Sequence, residues 1–342
     1  MADALNFKGI SKMAELTIGS AHAGQYEKAW GFLPIEGLPE QYWPPVVIIR
    51  GKNQSPLLTV TGGIHGCEYS SIEAAKEVAE DFQPQDLNGT VVVCSIANLA
   101  AFFSRRAFLN PLDDKNLNRS FPGDPTGSPS QRLAYHLAQS LILPADAYID
   151  LHGGDIVEAL VPFTLYQLGP SPEIDKESRS LALQFGIPII IRARTPGSTC
   201  ECAVNLGKPA ILAEAGQQGI LSSEAVKLLK RGVCRVLNSL GSLTEEATDR
   251  FLSIAERKTQ PKERVFLEED WVRSPALGLW YPAISCGDSV EKGQVLGQIC
   301  NFFGEILASV KAEHDGLIVF LLTSLAVNEG DALLAIAHSE EV

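Results

Sequence analysis

The chain has no apolar stretch long enough to cross a bilayer. Its longest apolar runs, around residues 91–103 and 317–327, fall short of the ~20 residues that a membrane helix needs. It does not open on a basic start followed by an apolar run, so no secretory leader is expected. CxxC pairs are missing as well. The 7 cysteines are odd in number and scattered, and Cys200 and Cys202 are separated by one residue. Free thiols in a reducing, cytoplasmic setting are the expectation. Positive charge is scarce: 28 Lys and Arg stand against 41 Asp and Glu, a formal net charge of −13. A nucleic-acid binder would carry a basic stripe, and an anionic membrane would be repelled, so neither partner is expected. The same field disfavours an anionic ligand unless local arginines or a metal grip it. No repeat of fixed period and no low-complexity segment is present.

What remains is an ordinary globular composition, 45% hydrophobic and 20% charged over 342 residues. One core rarely grows past ~250–300 residues, so about two domains are expected. Between residues 45 and 240, strand-like and helix-like stretches alternate. Strands are expected at 46–50, 57–61, 90–96, 147–151, 187–191 and 210–213. Helices are expected at 71–81, 131–142 (with Ser130 as N-cap), 173–185 and 223–240. This is an α/β pattern, a sheet with helices on both faces, and such sheets build their sites at the carboxyl ends of the strands. Around residues 257–264 (RKTQPKER) the texture changes. Beyond it helix patterns nearly vanish and Gly-containing turns recur, which fits a small all-β domain. The boundary is placed at about 260, giving domains of 1–260 and 261–342.

Three segments carry the chemistry. GGIHGCE (62–68) and DLHGG (150–154) each follow an apolar strand, and AEAG (213–216) follows the strand-like AILA. His65 and Glu68, three apart at a strand-to-helix turn, can aim a nitrogen and a carboxylate at one point, and His152 adds a third donor. Two His and one carboxylate with an open fourth position are a catalytic zinc set. Taken singly, an HxxE or a strand-end His is common in structural roles, and only their combination points to a metal. Glu214, at the end of another strand, is placed to move a proton between water and a leaving nitrogen. In NLNRSFPG (116–123), Arg119 offers a planar fork for a carboxylate and Asn118 an amide donor. Upstream, Arg105 or Arg106 would stabilise charge on a carbonyl oxygen. Asp150, two residues before His152, would orient its imidazole or serve as a structural hydrogen-bonder.

Taken together, GGIHGCE, NLNRSFPG, DLHGG and AEAG, in that order, resemble the succinylglutamate desuccinylase/aspartoacylase family of zinc-carboxypeptidase-like deacylases. The resemblance extends over most of residues 55–240. It implies a zinc-carboxypeptidase-like mixed sheet flanked by helices, with a C-terminal half-barrel-like β domain shaping the mouth of the site. It also implies one Zn2+ per chain on His65, Glu68 and His152, Glu214 as general base and acid, Asn118 and Arg119 on a substrate carboxylate, and Arg105 or Arg106 on the scissile carbonyl. GDPTGSPSQRLAYHL and ILPADAYIDLHGG are similar to the family's deacylase subgroup. The β domain also resembles biotinyl and lipoyl half-barrels, but residues 301–305 (NFFGE) hold no lysine hairpin, so a structural cap is expected. Cys67, at the variable position of HxxE, reads as a small filler.

The expected function is zinc-dependent hydrolysis of the amide bond of a small N-acylated amino acid or amine. The rival readings are a zinc carboxypeptidase acting on peptides and a non-catalytic protein retaining the fold. The acyl group and the amine are open, and the sequence is compatible with a homo-oligomer without specifying one.

Overall fold

The structure is a computed structural model that describes residues 15–254, 264–266 and 268–338. A nine-stranded mixed sheet forms its centre. From one edge to the other the strands are Arg264–Phe266, Ile189–Ala193, Phe163–Gln167, Ala210–Glu214, Ala147–His152, Leu57–Gly62, Thr90–Cys94, Pro45–Arg50 and Glu27–Phe32. Ala210–Glu214, Ala147–His152, Leu57–Gly62 and Thr90–Cys94 run parallel. Phe163–Gln167 opposes Ala210–Glu214, and Pro45–Arg50 opposes Thr90–Cys94.

Every residue of Leu57–Gly62, Thr90–Cys94 and Ala147–His152 is buried, because helices cover both faces. The period of two sorts the side chains. Val91, Val93, Ile149, Leu151 and Ile211 pack with Val78, Leu229 and Val233 of the helices Tyr69–Asp81 and Ser223–Ser239. Val92, Cys94, Tyr148 and Leu212 join a second core with Leu133 and Leu137 of the helix Pro129–Leu137. Asp150, His152 and Glu214 share the parity of Tyr148 and Leu212, so they project on that second face.

Beyond the central sheet the chain is antiparallel β. Gly316–Leu322, Ala332–His338 and Glu268–Arg273 form one sheet, with Ser289–Val290 beside Gly316–Leu322. Ile306–Lys311, Val295–Cys300, Gly278–Pro282 and Ala326–Val327 form another. Trp280, Leu296, Ile299, Ile318 and Leu334 share a core cluster. The boundary expected near 260 lies outside the described residues. On either side of it the two regions interlock. The short strand Glu158–Leu160 leaves the loops of the central sheet to pair with Gly316–Leu322, and Arg264–Phe266 adds to the central sheet beside Ile189–Ala193. Leu160, Phe163, Leu317 and Phe320 form an apolar cluster across the seam.

One local expectation changes. Ser128, not Ser130, is the N-cap of Pro129–Leu137; its N–H donates to Gln131 Oε1 at 3.0 Å in a capping box, while the Ser130 hydroxyl bonds Asp113 Oδ1 at 2.8 Å. The apolar run 91–103 is not one element. It divides into the strand Thr90–Cys94 and the helix Leu99–Ser104, whose N-cap Asn98 accepts from Ala101 N at 3.2 Å. Among the described residues, no helix is long and apolar enough to cross a membrane.

Candidate metal centre and active site

The strand Leu57–Gly62 runs into a turn that delivers His65, and Glu68 stands at the N-cap of Tyr69–Asp81. Glycine is required in this turn. Gly63 has φ +65°, and a Cβ on Gly66 would come within 2.2 Å of Phe102 N. His152 ends its strand, and Glu214, directly beside it in register, ends the next.

His65, Glu68 and His152 come together. The Glu68 carboxylate lies between the two rings, Oε1 2.6 Å from His65 Nδ1 and Oε2 3.0 Å from His152 Nδ1. One ligand atom from each of the three lies within 4.8 Å of the others, so the group could hold a metal ion. Their outer nitrogens are engaged elsewhere. His65 Nε2 faces Asn116 Oδ1 at 3.1 Å and His152 Nε2 faces Asp150 Oδ2 at 2.9 Å. With an acceptor at each Nε2, Nδ1, which faces Glu68 here, is the nitrogen that each ring can offer to a metal. Asp150 is itself held by the hydroxyls of Thr61, at 2.7 Å, and Thr199. Asp150 therefore orients the imidazole, the first of its two expected roles.

Burial raises the cost of charge on Glu68, but the two imidazoles outweigh it and pull its carboxyl down to about 2. Burial opposes protonation of His65 and His152 too, and the Glu68 carboxylate overcomes it, raising both; Asp150 adds to the rise at His152. Burial drives Glu214 the other way, well above the ordinary carboxylate range. Its Oε2 is buried with no hydrogen-bond partner. An orphaned buried oxygen beside a three-donor cluster is the arrangement expected where a water or substrate atom completes the site. Burial likewise pushes the Cys67 thiol up to about 11, which fits a packed filler.

These groups lie in a cavity of about 750 Å3. Asn118 and Arg119 line it. The amide oxygen of Asn118 accepts from Thr199 N at 3.0 Å, which leaves its NH2 as the donor, and Arg119 Nη1 donates to Asn118 O at 2.7 Å. The C-terminal β region closes part of the wall with Trp271, Arg273 and Phe320.

The family model described as Succinylglutamate desuccinylase/Aspartoacylase catalytic domain matches residues 54–240. The chain belongs to this family. A curated relative, N-alpha-acetyl-L-2,4-diaminobutyric acid deacetylase of Halomonas elongata, is 29% identical over 324 residues, covering 92% of this chain and 89% of the relative. Among solved structures, a succinylglutamatedesuccinylase/aspartoacylase from Rhodobacter sphaeroides is 25% identical with a TM-score of 0.77, covering 92% of this chain and 96% of that one. The product-bound ectoine utilization protein EutE of Ruegeria pomeroyi shares the fold with a TM-score of 0.81 at 21% identity, covering 97% of this chain and 100% of that one.

In this member of the family, the two arginines expected to polarise the carbonyl stand elsewhere. Neither Arg105 nor Arg106 lines the cavity. Arg105 is the left-handed C-cap of Leu99–Ser104, at φ 51°, and Arg106 pairs with Asp114 at 2.6 Å on the surface. The loop reaches the site instead through Phe108, which meets the His65 ring edge-on at 6.1 Å between centroids. The cavity takes its other arginines from Arg192 and Arg194, near the carboxyl end of Ile189–Ala193, and from Arg273. The sequence reading missed these, although Arg-Ala-Arg at the end of an apolar strand was a visible signal. It also missed Glu158, a cavity-lining carboxyl that burial raises to about 8, and Asn116, whose motif gave no hint that it faces His65.

Proposed function

We propose that this protein is a zinc-dependent deacylase that hydrolyses the amide bond of a small N-acylated amino acid. The observation that carries the reading is the convergence of His65, Glu68 and His152 beside the unpartnered Oε2 of Glu214. The donor set suits one zinc ion: two imidazoles, each with its outer nitrogen facing an acceptor, and one carboxylate whose oxygens face them. Bound zinc supplies Lewis acidity, polarising a carbonyl oxygen and bringing the pKa of water towards ~7.

The chain's own groups do the rest. Glu214 takes the proton of the attacking water at Oε2 and returns it to the departing nitrogen. Its burial raises its proton affinity, as a group that both accepts and donates requires. Asn118 and Arg119 hold the substrate carboxylate and fix the amide against the donor cluster. Arg105 and Arg106 receive no role in the chemistry, because neither reaches the cavity. Trp271 and Phe320 of the C-terminal β region add to the wall of the cavity, which supports a small substrate over a peptide. The deacetylase activity named for the Halomonas relative supports the same substrate class. Seven free cysteines, six of them buried, support a reducing, cytoplasmic setting.

Metal analysis of the purified protein, with a panel of N-acetyl amino acids and dipeptides, tests the reading. We expect one zinc per chain and hydrolysis of acyl amino acids over dipeptides. Glu214→Gln should keep the zinc and lose ~10²–10⁴-fold in kcat. Near-normal turnover by that variant, or a preference for dipeptides, would overturn it.

A further inference from the structure

Two groups with separate tasks in the reaction described above meet at one threonine. Thr199 is fully buried and opens the helix Thr199–Asn205. Its backbone N–H donates to Asn118 Oδ1 at 3.0 Å. Its hydroxyl donates to Asp150 Oδ2, the same oxygen that His152 Nε2 faces at 2.9 Å. One residue therefore holds both the amide that meets the substrate carboxylate and the acid that orients a metal-facing imidazole. Thr199 itself does not line the cavity, so it acts through these two neighbours.

The surrounding contacts fix this link in place. Phe121 N donates to Gly197 O at 3.0 Å, and a Cβ on Gly197, whose φ is +75°, would stand 2.7 Å from Arg119 O. The Ser198 hydroxyl caps the helix by accepting from Glu201 N at 3.0 Å. The substrate-binding segment is thus seated directly on the turn that carries Thr199. Asp150 has a second hydroxyl donor, which provides a contrast. Thr61 donates to Oδ1 at 2.7 Å and bonds the Tyr148 hydroxyl at 2.6 Å, and neither bond is made to Asn118.

We propose that Thr199 is a positioning residue that couples the two halves of the site, so that a metal ion at His65, Glu68 and His152 and a carboxylate at Asn118 and Arg119 each tighten the binding of the other. A carboxylate that accepts from the Asn118 NH2 polarises the amide and strengthens the bond from Thr199 N to Oδ1. That bond holds the first residue of the helix where its hydroxyl meets Asp150. From the other side, a cation at His152 Nδ1 makes Nε2–H a stronger donor and fixes the Asp150 oxygen that Thr199 shares. Either ligand orders Thr199 for the other, and the ordering cost is met once. This coupling rests on the deacylase reading for the tasks of Asn118 and His152, and it goes beyond that reading in joining them.

Zinc affinity by chelator competition, with and without butyrate, tests the coupling. Butyrate carries the carboxylate and no amide, so no hydrolysis is needed. In wild type, butyrate should tighten zinc binding roughly 5–10-fold, and by reciprocity zinc should tighten butyrate by the same factor in calorimetry. Thr199→Val removes the hydroxyl and should bring the factor towards one, while Thr199→Ser keeps it. Thr199→Ala takes the place of Thr199→Val if that variant does not fold. Thr61→Val should weaken zinc about tenfold yet leave the factor standing. A factor of one in wild type overturns the proposal. So does a factor unchanged in Thr199→Val, because the anion then meets the metal directly. A loss in Thr61→Val as large as in Thr199→Val overturns it too, since any loosening of Asp150 would then suffice. Hydrolysis of N-acetyl-L-alanine is measured alongside. Coupling that is lost in Thr199→Val, in a protein that cleaves no amide, sinks the deacylase reading and keeps the Thr199 link; hydrolysis with the coupling unmoved does the reverse.

Discussion

At the carboxyl ends of the central strands, His65 and His152 face separate oxygens of Glu68. In the C-terminal β region, His314 and His338 both face a single oxygen of Asp270, at 3.4 and 3.1 Å. The two places hold the same donor types and differ in organisation. In the first, each ring's outer nitrogen has an acceptor, Asn116 or Asp150, and both acceptors are tied in turn to other groups. In the second, the rings stack at 4.8 Å, His314 and Asp270 are about half exposed, and His338 Nε2 and Asp270 Oδ2 are not aligned as a hydrogen bond. Two imidazoles near a carboxylate are therefore not enough. What prepares a metal centre is a fixed tautomer on each ring and burial of the carboxylate between them.

The sharpest way to break this comparison is to count metal. His152→Ala should fall from one zinc per chain to nearly none, while His314→Ala keeps its zinc, as read by atomic absorption on dialysed protein. Loss of zinc in the second variant would mean that the C-terminal cluster, not the strand-end one, holds the ion. A finer test removes the outer partner alone. Asp150→Ala leaves all three donors in place but frees the His152 tautomer, and zinc affinity in a chelator competition should drop ~10–100-fold. Asp270→Ala should leave that affinity where it was.

The smallest effects separate the two groups of arginines. Arg119→Ala removes a charged donor from the cavity and should cost about tenfold in kcat/KM for the acyl amino acid. Arg106→Ala breaks only an exposed pair with Asp114, an interaction of ~0–1 kcal/mol, and should stay within about twofold in steady-state assays. A larger loss in Arg106→Ala than in Arg119→Ala would return the carbonyl-polarising role to the upstream pair.

Much of the central sheet was legible because its parallel strands are covered on both faces and read as unbroken apolar runs. The strand Phe163–Gln167 was not. It runs against its neighbour Ala210–Glu214, follows a Pro, and mixes Thr and Gln with its apolar residues. The residues that could hold a metal were legible because each sits at or just beyond the end of such a run. Arg105 and Arg106 do not line the cavity, because closeness along the chain to NLNR says nothing about direction.

By itself, the sequence determined the α/β class, the family's motifs and the three residues that could hold a metal, with a carboxylate at the end of the next strand. These depend on local periodicity and on strand ends, which short windows of residues encode. Only the tertiary structure decided which arginines line the cavity, that Asn116 and Asp150 face the rings, and that Glu158 lines the same cavity. Those depend on the register between strands far apart in the chain and on two regions interlocking through Glu158–Leu160. No local pattern carries that information, because each contact joins segments whose separation in sequence is unrelated to their distance in space.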